Sequence, residues 1–197
     1  NSSLLNTNVK FFAKFVYKFI KFKNLRDVII LGNSLGGHVG LIFSKLYPKL
    51  IKGLVLTGSS GLYENSMGDS YPKREDYNYI KERTEAVFFD PKIATKKIVD
   101  EVYETVNDRK KLIKILAMAK SAIRHNMSND LPNILAETAI IWGENDSVTP
   151  PEVADEFKKL LPNSQLFWIE NCGHAPMMEH PEKFNSVMNS WLKEKKL

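Results

Sequence analysis

A serine placed between two glycines is the residue with the clearest capacity for chemistry. Gly32, Ser34 and Gly36 form a G-x-S-x-G pattern. Apolar residues 28–31 precede it and a helix-like run follows, which predicts a sharp strand-to-helix turn that exposes the hydroxyl. A dinucleotide fingerprint needs G-x-G-x-x-G and a P-loop needs a lysine, and this segment has neither. We predict that Ser34 is a nucleophile; a glycine-rich phosphate loop or a plain tight turn is the alternative.

A serine hydroxyl needs a base to remove its proton near neutral pH. The chain has four histidines: His38, His125, His174 and His180. His174 follows the apolar run 165–169, at the carboxyl end of a predicted parallel strand, where open α/β sheets place their sites. It is therefore the predicted base. His38 and His180 are expected to pack or to bond structurally, while His125 either ends a helix or contacts substrate.

The base in turn needs an acid that orients it and stabilises its charged form. Asp146 follows the predicted strand 137–142, again at a carboxyl end, and Glu144 is a rival two residues away. The order Ser34, Asp146, His174 is the one expected when a serine nucleophile stands on a strand-to-helix elbow. We predict Asp146 as the acid, with an ordinary turn residue as the alternative.

The elements that must position these residues alternate along the chain. Strands are predicted at 27–31, 52–57, 137–142 and 165–169, and helices at 9–23, 38–47, 77–88, 92–106, 108–125, 151–161 and 181–193. Strands that alternate with helices predict an α/β fold with a parallel sheet. Three consecutive helices between the second and third strands predict an inserted lid. The expected division is a core of residues 1–60 and 136–197, with a helical lid at 61–135.

Several helix starts carry capping signals. Asp90 with the proline after it, and Asn107 or Asp108, predict the starts of two lid helices. Thr149 and Glu152 have the spacing of a capping box at the start of helix 151–161.

Composition narrows the class of protein. With 197 residues, 43% hydrophobic and 26% charged, the chain resembles ordinary globular proteins and excludes collagen-like or wholly disordered ones. The single cysteine, Cys172, excludes a disulfide scaffold and a cysteine-built zinc site, and predicts a reducing, cytoplasmic location. The longest aliphatic run is only residues 28–31, so no membrane span is expected. No metal or organic cofactor is implied.

The positive charge is concentrated at the start. Residues 1–60 carry nine Lys or Arg against one acid. Residues 9–23 place lysines and phenylalanines along one predicted helix, which is typical either of a membrane-surface helix or of a helix packed on a sheet with its lysines in solvent. We favour the packed helix because a strand follows at once. No nucleic-acid motif accompanies the charge, so no nucleic-acid partner is expected.

Four segments together resemble the α/β-hydrolase superfamily. They are GNSLGGH, KGLVLTGSSG, WGENDSVTPP and NCGHAPMMEHPEKF, and they occur in the family's order. The resemblance runs from about residue 10 to the end. Within the superfamily, the chain is similar to the lid-bearing esterases and meta-cleavage-product (C–C bond) hydrolases. It implies Ser34 as nucleophile, Asp146 as acid, His174 as base and the Leu35 N–H as an oxyanion donor, acting on a small ester-like substrate.

Departures from the family pattern keep alternatives open. Serine at the elbow argues against haloalkane dehalogenases and epoxide hydrolases, which use Asp there. Asn33 before it resembles the meta-cleavage hydrolases, but their lid arginine falls on Val102 here and no Trp follows the His segment. Arg109 and Arg124 remain as lid cations for an anionic substrate. Ester or related acyl hydrolysis is therefore expected first and C–C hydrolysis second.

The resemblance also implies a partial sheet. Only about 25 residues precede the elbow strand, and no His-Gly loop of the kind that supplies the family's second oxyanion donor stands there. We expect about four parallel strands, the family's strands 5–8, with helices on both faces and a helical lid insertion. A third hypothesis follows, in which the chain is a non-catalytic fragment that needs another segment. Strand 28–31, apolar on both faces, would then be an exposed edge that self-associates.

Overall fold

The computed structural model describes residues 8–65 and 73–197. Within them four parallel strands form one sheet in the order β1-β2-β3-β4. The strands are β1 Val28–Asn33, β2 Ile51–Thr57, β3 Glu137–Gly143 and β4 Ser164–Ile169. The helices are α1 Val9–Phe22, α2 Leu35–Leu46, α3 Tyr77–Glu85, α4 Lys96–Asn107, α5 Arg109–Arg124, α6 Pro151–Leu160, α7 Pro176–Glu179 and α8 Pro181–Lys195. The predicted α/β class is confirmed.

The strand register brings the carboxyl ends of the sheet together. Asn33 at the end of β1 pairs with Thr57 at the end of β2, and Gly143 pairs with Ile169 across β3 and β4. The loops that follow these strands, which carry the predicted site residues, therefore leave the sheet at one edge.

Helices cover both faces of the sheet, as the partial α/β-hydrolase fold requires. On one face α1, α2 and α6 pack against Leu56 of β2 and Trp142 of β3. On the other face α8 contributes Phe184 and Trp191 to a second cluster with Ile141. The central strands are consequently buried on both sides, which explains their continuous apolar sequences.

The chain between β2 and β3 is helical, and we call residues 73–125 the helical region. Its helices share a small cluster of Ile80, Val106 and Leu112. The predicted cap at Asp108 is confirmed, since its carboxylate accepts from the Lys110 N–H at 2.8 Å. The predicted single helix at 92–106 is wrong in its start. Asp90 caps only a 3-10 turn at Pro91–Ile93, and α4 begins at Lys96.

At β1 and α1 the described chain leaves large apolar side chains exposed. β1 is an edge strand of the described sheet, with Ile29 38% and Leu31 44% exposed. Helix α1 buries Val9, Ala13 and Ile20. Its lysines are in solvent, as expected, but so are four of its phenylalanines: Phe12, Phe15, Phe19 and Phe22. None of the helices within residues 8–65 and 73–197 has both the length and the apolar character needed to cross a bilayer.

Candidate active site

Ser34 sits on a strained turn between β1 and α2. Its φ of 51° and ψ of −121° lie outside the regions that non-glycine residues normally adopt. A Cβ on Gly32 would overlap the backbone of Gly36, and one on Gly37 would overlap the side chain of Ser59. A Cβ on Gly36 would meet nothing within 4 Å. The close approach of the backbone at the elbow therefore depends on the glycines at 32 and 37, and the space around position 36 does not require a glycine.

The Leu35 N–H is the first of α2, so it has no acceptor within the helix. Leu35 and Ser34 both line a cavity of about 400 Å³ beside the helix N-terminus. A helix N-terminus favours negative charge, which is the property expected of an oxyanion donor.

Asp146 and His174 form a buried pair beyond the ends of β3 and β4. Asp146 Oδ2 lies 2.8 Å from His174 Nδ1, and the two residues are 3% and 7% exposed. Asp146 Oδ1 accepts from the Val148 and Thr149 N–H groups, at 2.8 and 2.9 Å. Glu144, the rival carboxylate, is exposed. The geometry thus brings Asp146, and not Glu144, to the histidine.

Thr149 has a different place from the one predicted. The capping box is wrong, because α6 begins after Pro150 without a side-chain cap. Instead the Thr149 hydroxyl donates to Asp146 Oδ2 at 2.8 Å and lies 3.3 Å from His174 Nδ1. The Trp142 indole N–H donates to the Thr149 carbonyl at 2.9 Å, which holds this turn against the core. The Thr149 hydroxyl therefore donates to the buried carboxylate three residues earlier and not to the first turn of α6.

Asn33 connects the elbow to the histidine loop. Its side-chain amide donates to the Thr57 carbonyl at 3.0 Å and to the His174 carbonyl at 2.9 Å. His174 is thereby fixed next to the residue that precedes Ser34. Among the described residues the Ser34 hydroxyl makes no hydrogen bond; bonds of this kind are often long before a substrate binds.

The remaining histidines lie outside this cluster. His38, fully buried, has Nε2 3.0 Å from Nδ1 of the half-buried His125 at the end of α5. Burial, with a smaller contribution from His125, lowers the pKa of His38 from 6.5 to about 4. His180 Nε2 lies 2.9 Å from the Asn171 carbonyl. The predicted bonding roles of His38 and His180 are confirmed, and His125 is placed against His38 and not among the cavity residues.

The cavity beside Ser34 is mostly apolar. Its lining residues come from α1, α2, α5 and the loop after β2: Phe11, Phe12, Ser34, Leu35, Ser60, Glu64, Lys114, Ile115, Met118, Ala119 and Ala122. Glu64 accepts a hydrogen bond of 2.6 Å from the Ser60 hydroxyl. The cation of α5 that reaches the lining is Lys114, whereas Arg109 and Arg124, the predicted candidates, are not lining residues.

No group of three or more His, Cys, Asp or Glu within the described ranges has the arrangement of a metal site. Cys172 is buried beside the histidine loop, and burial together with Glu179 raises the pKa of its thiol well above the ordinary range.

A parallel sheet with a strained serine at a β–α elbow, and an Asp–His pair beyond two later strands, defines the α/β-hydrolase class of fold. A sequence profile of the Alpha/beta hydrolase family matches residues 7–187. The chain therefore belongs to that family, as the sequence motifs predicted.

Comparisons with individual proteins agree. The chain is 30% identical over 188 residues to 2-hydroxy-6-oxo-6-(2'-aminophenyl)hexa-2,4-dienoic acid hydrolase from Metapseudomonas resinovorans, covering 90% of this chain and 64% of that one. It is 25% identical over 178 residues to Lipase 1 of Psychrobacter immobilis, covering 78% and 51%. The crystal structure of MGS-MChE2, an alpha/beta hydrolase enzyme from the metagenome of lagoon sediments at Mar Chica, Morocco, matches with 49% identity and a TM-score of 0.79, covering 100% and 75%. The chain thus spans between half and two thirds of the length of these two curated relatives.

Proposed function

We propose that the protein containing this chain is a serine hydrolase that cleaves a carboxylic ester, or a related acyl bond, through an acyl-serine intermediate. The observation that carries the proposal is the buried pair of Asp146 and His174, 2.8 Å apart, held by Asn33 beside the strained Ser34. Family membership supports hydrolysis in general. The ester bond and the residue roles are our inference.

In the proposed mechanism the Ser34 hydroxyl attacks the acyl carbon while His174 takes its proton. The hydrogen bond from Nδ1–H to Asp146 leaves Nε2 as the basic nitrogen, and Asp146 stabilises the imidazolium that forms. His174 then returns the proton to the leaving alcohol, and a water repeats the sequence to release the acid. The Leu35 N–H donates to the negative oxygen of the tetrahedral intermediate.

The cavity favours an apolar acyl group. Phe11 and Phe12 of α1 and Ile115 and Met118 of α5 line the same cavity of about 400 Å³ as Ser34. Such a wall lets an alkyl chain leave water on binding, worth about 0.8 kcal/mol per buried CH₂. We expect p-nitrophenyl esters to be cleaved faster as the acyl chain lengthens, until the cavity is filled.

A fluorophosphonate probe tests the nucleophile. We expect labelling of wild-type protein and none of Ser34→Ala. The matched control is Ser44→Ala, on the same helix but away from the cavity, with its hydroxyl bonded to the Gly40 carbonyl at 2.8 Å. Labelling that persists in Ser34→Ala would refute the proposal.

C–C bond hydrolysis is the second candidate, and Lys114 is the observation that favours it. A cation in the cavity can bind the carboxylate of a 2-hydroxy-6-oxo-dienoate, and a relative of 30% identity is named as a hydrolase of such an acid. Faster turnover of the dienoate than of neutral esters, lost in Lys114→Met but kept in Arg124→Met, would promote this candidate over the ester hydrolase.

A further inference from the structure

The backbone beside His174 is bonded to the helical region. The His174 N–H donates to the carbonyl of Val87 at 3.0 Å. Glu179 accepts from the Gly173 N–H through Oε1 at 2.8 Å and from the Phe89 N–H through Oε2 at 2.7 Å. One carboxylate therefore joins the loop that carries His174 to residues 87–89, which directly follow α3.

The packing at this point is as close as the hydrogen bonding. A Cβ on Gly173 would lie 2.7 Å from the Val87 carbonyl oxygen and 2.9 Å from the Phe89 nitrogen. Both neighbours are backbone atoms, so a side chain at 173 would push residues 87–89 away from the loop.

His174 is thus held from two directions. Asn33 donates to its carbonyl from the end of β1, and the Val87 carbonyl accepts from its N–H on the side of the helical region. The bond from His174 Nδ1 to Asp146 needs the ring in one orientation, which the backbone at 173–174 sets.

We propose that Glu179 is a positioning residue for His174, fixing the loop of the base against residues 87–89 so that the ring stays aligned with Asp146. The inference rests on the proposed role of His174 as the base. It makes the helical region a support of the catalytic base as well as a wall of the cavity.

A carboxylate suits this position because it is an acceptor at both oxygens. Two N–H groups from separate segments point at it, and each needs an acceptor. A glutamine would accept only one of them and would place its own NH₂ against the other donor. An aspartate keeps both acceptors but is one methylene shorter.

The experiment compares Glu179→Gln with Glu182→Gln in the protein as it exists. Glu182 is an exposed acid in the first turn of α8, so its variant makes the same charge change close by. We expect kcat for an ester to fall roughly 10- to 100-fold in Glu179→Gln, because a misplacement of about 1 Å costs about that much. We expect KM to change less than about twofold and Glu182→Gln to match wild type.

A spectroscopic readout separates positioning from general destabilisation. The His174 Nδ1–H proton should give a downfield NMR resonance in wild type and Glu182→Gln. In Glu179→Gln this resonance should broaden or shift at a temperature where the protein is fully folded. Gly173→Ala is the second variant, since it disturbs the same contact without touching Glu179. In the double variant, the loss in kcat expressed as activation free energy should be smaller than the sum of the losses in Glu179→Gln and Gly173→Ala alone.

The inference is overturned if Glu179→Gln keeps the kcat and the resonance of Glu182→Gln. It is also overturned if the two variants combine additively. Failure of the proposed function looks different, because wild-type protein would then show neither ester turnover nor labelling of Ser34.

Discussion

The buried His38 should make the protein less stable in acid. With its pKa at about 4, against 6.5 when unfolded, the folded state keeps His38 neutral where the unfolded state binds a proton. Stability from this group is therefore complete above about pH 6.5 and is lost as the pH falls towards about 4.

The size of the effect follows from the pKa difference. At about 1.4 kcal/mol per pKa unit, the lowered pKa corresponds to about 3 kcal/mol of unfolding free energy. Solvent does not screen this effect, because His38 is fully buried. With a urea m-value of about 2 kcal/mol/M, that is a difference of about 1.5 M in the unfolding midpoint.

Urea unfolding of wild type and His38→Gln, measured from about pH 7 down to about pH 4, checks the prediction. Groups other than His38 and its contact His125 titrate alike in both proteins, so the difference between the two curves reports the loss of His38 together with any change at His125. The free energy of unfolding of wild type should fall more steeply, by about 3 kcal/mol over this range. His38→Leu, which also cannot titrate, provides a second variant. Parallel curves for wild type and both variants would refute the reasoning.

Three further outcomes are expected. Asp146→Asn should lower kcat roughly 10³- to 10⁴-fold by favouring the wrong histidine tautomer, while the exposed Glu144→Gln stays near wild type in the same ester assay; the reverse order would exclude Asp146 as the acid. Gly32→Ala should lower the midpoint of thermal unfolding sharply because its Cβ overlaps backbone, whereas Gly36→Ala should be neutral or stabilising; equal midpoints would contradict the steric account. We expect the 197-residue chain to self-associate through the edge of β1 and Leu31→Lys to lower the mass measured by light scattering; a monomeric wild type would refute the expectation, and an unchanged mass above the monomer would place the contact elsewhere.

The fold class was predictable from the sequence because short apolar runs, typical of strands buried on both faces, alternate with longer helix-like segments along the chain. The main errors of this prediction lie at element ends. Strand β1 was expected to stop near residue 31, since Gly32 and Asn33 look like a turn. The two residues instead continue the pairing with Leu56 and Thr57. Pairing with the neighbouring strand β2 outweighs the local turn preference of these two residues, and a local sequence pattern does not reveal that pairing.

The candidate site was predictable where strand ends carry it. Ser34, Asp146 and His174 each follow a strand, and parallel strands end at one edge, so their convergence needs no side-chain detail. Their supporting residues were harder. Thr149 has the spacing of a helix-capping box, which predicts a different contact. Only the family resemblance indicates a role for Asn33.

No local pattern indicated Glu179, because both of its partners are backbone N–H groups and one of them, that of Phe89, lies 90 residues away in the sequence. The same helical region supplies Lys114 and Met118 to the cavity wall. Under the proposed roles, the region that lines the cavity therefore also holds the backbone of His174 through residues 87–89. A substitution that displaces residues 87–89 should consequently weaken the alignment of the base even where it touches neither Ser34 nor the cavity wall.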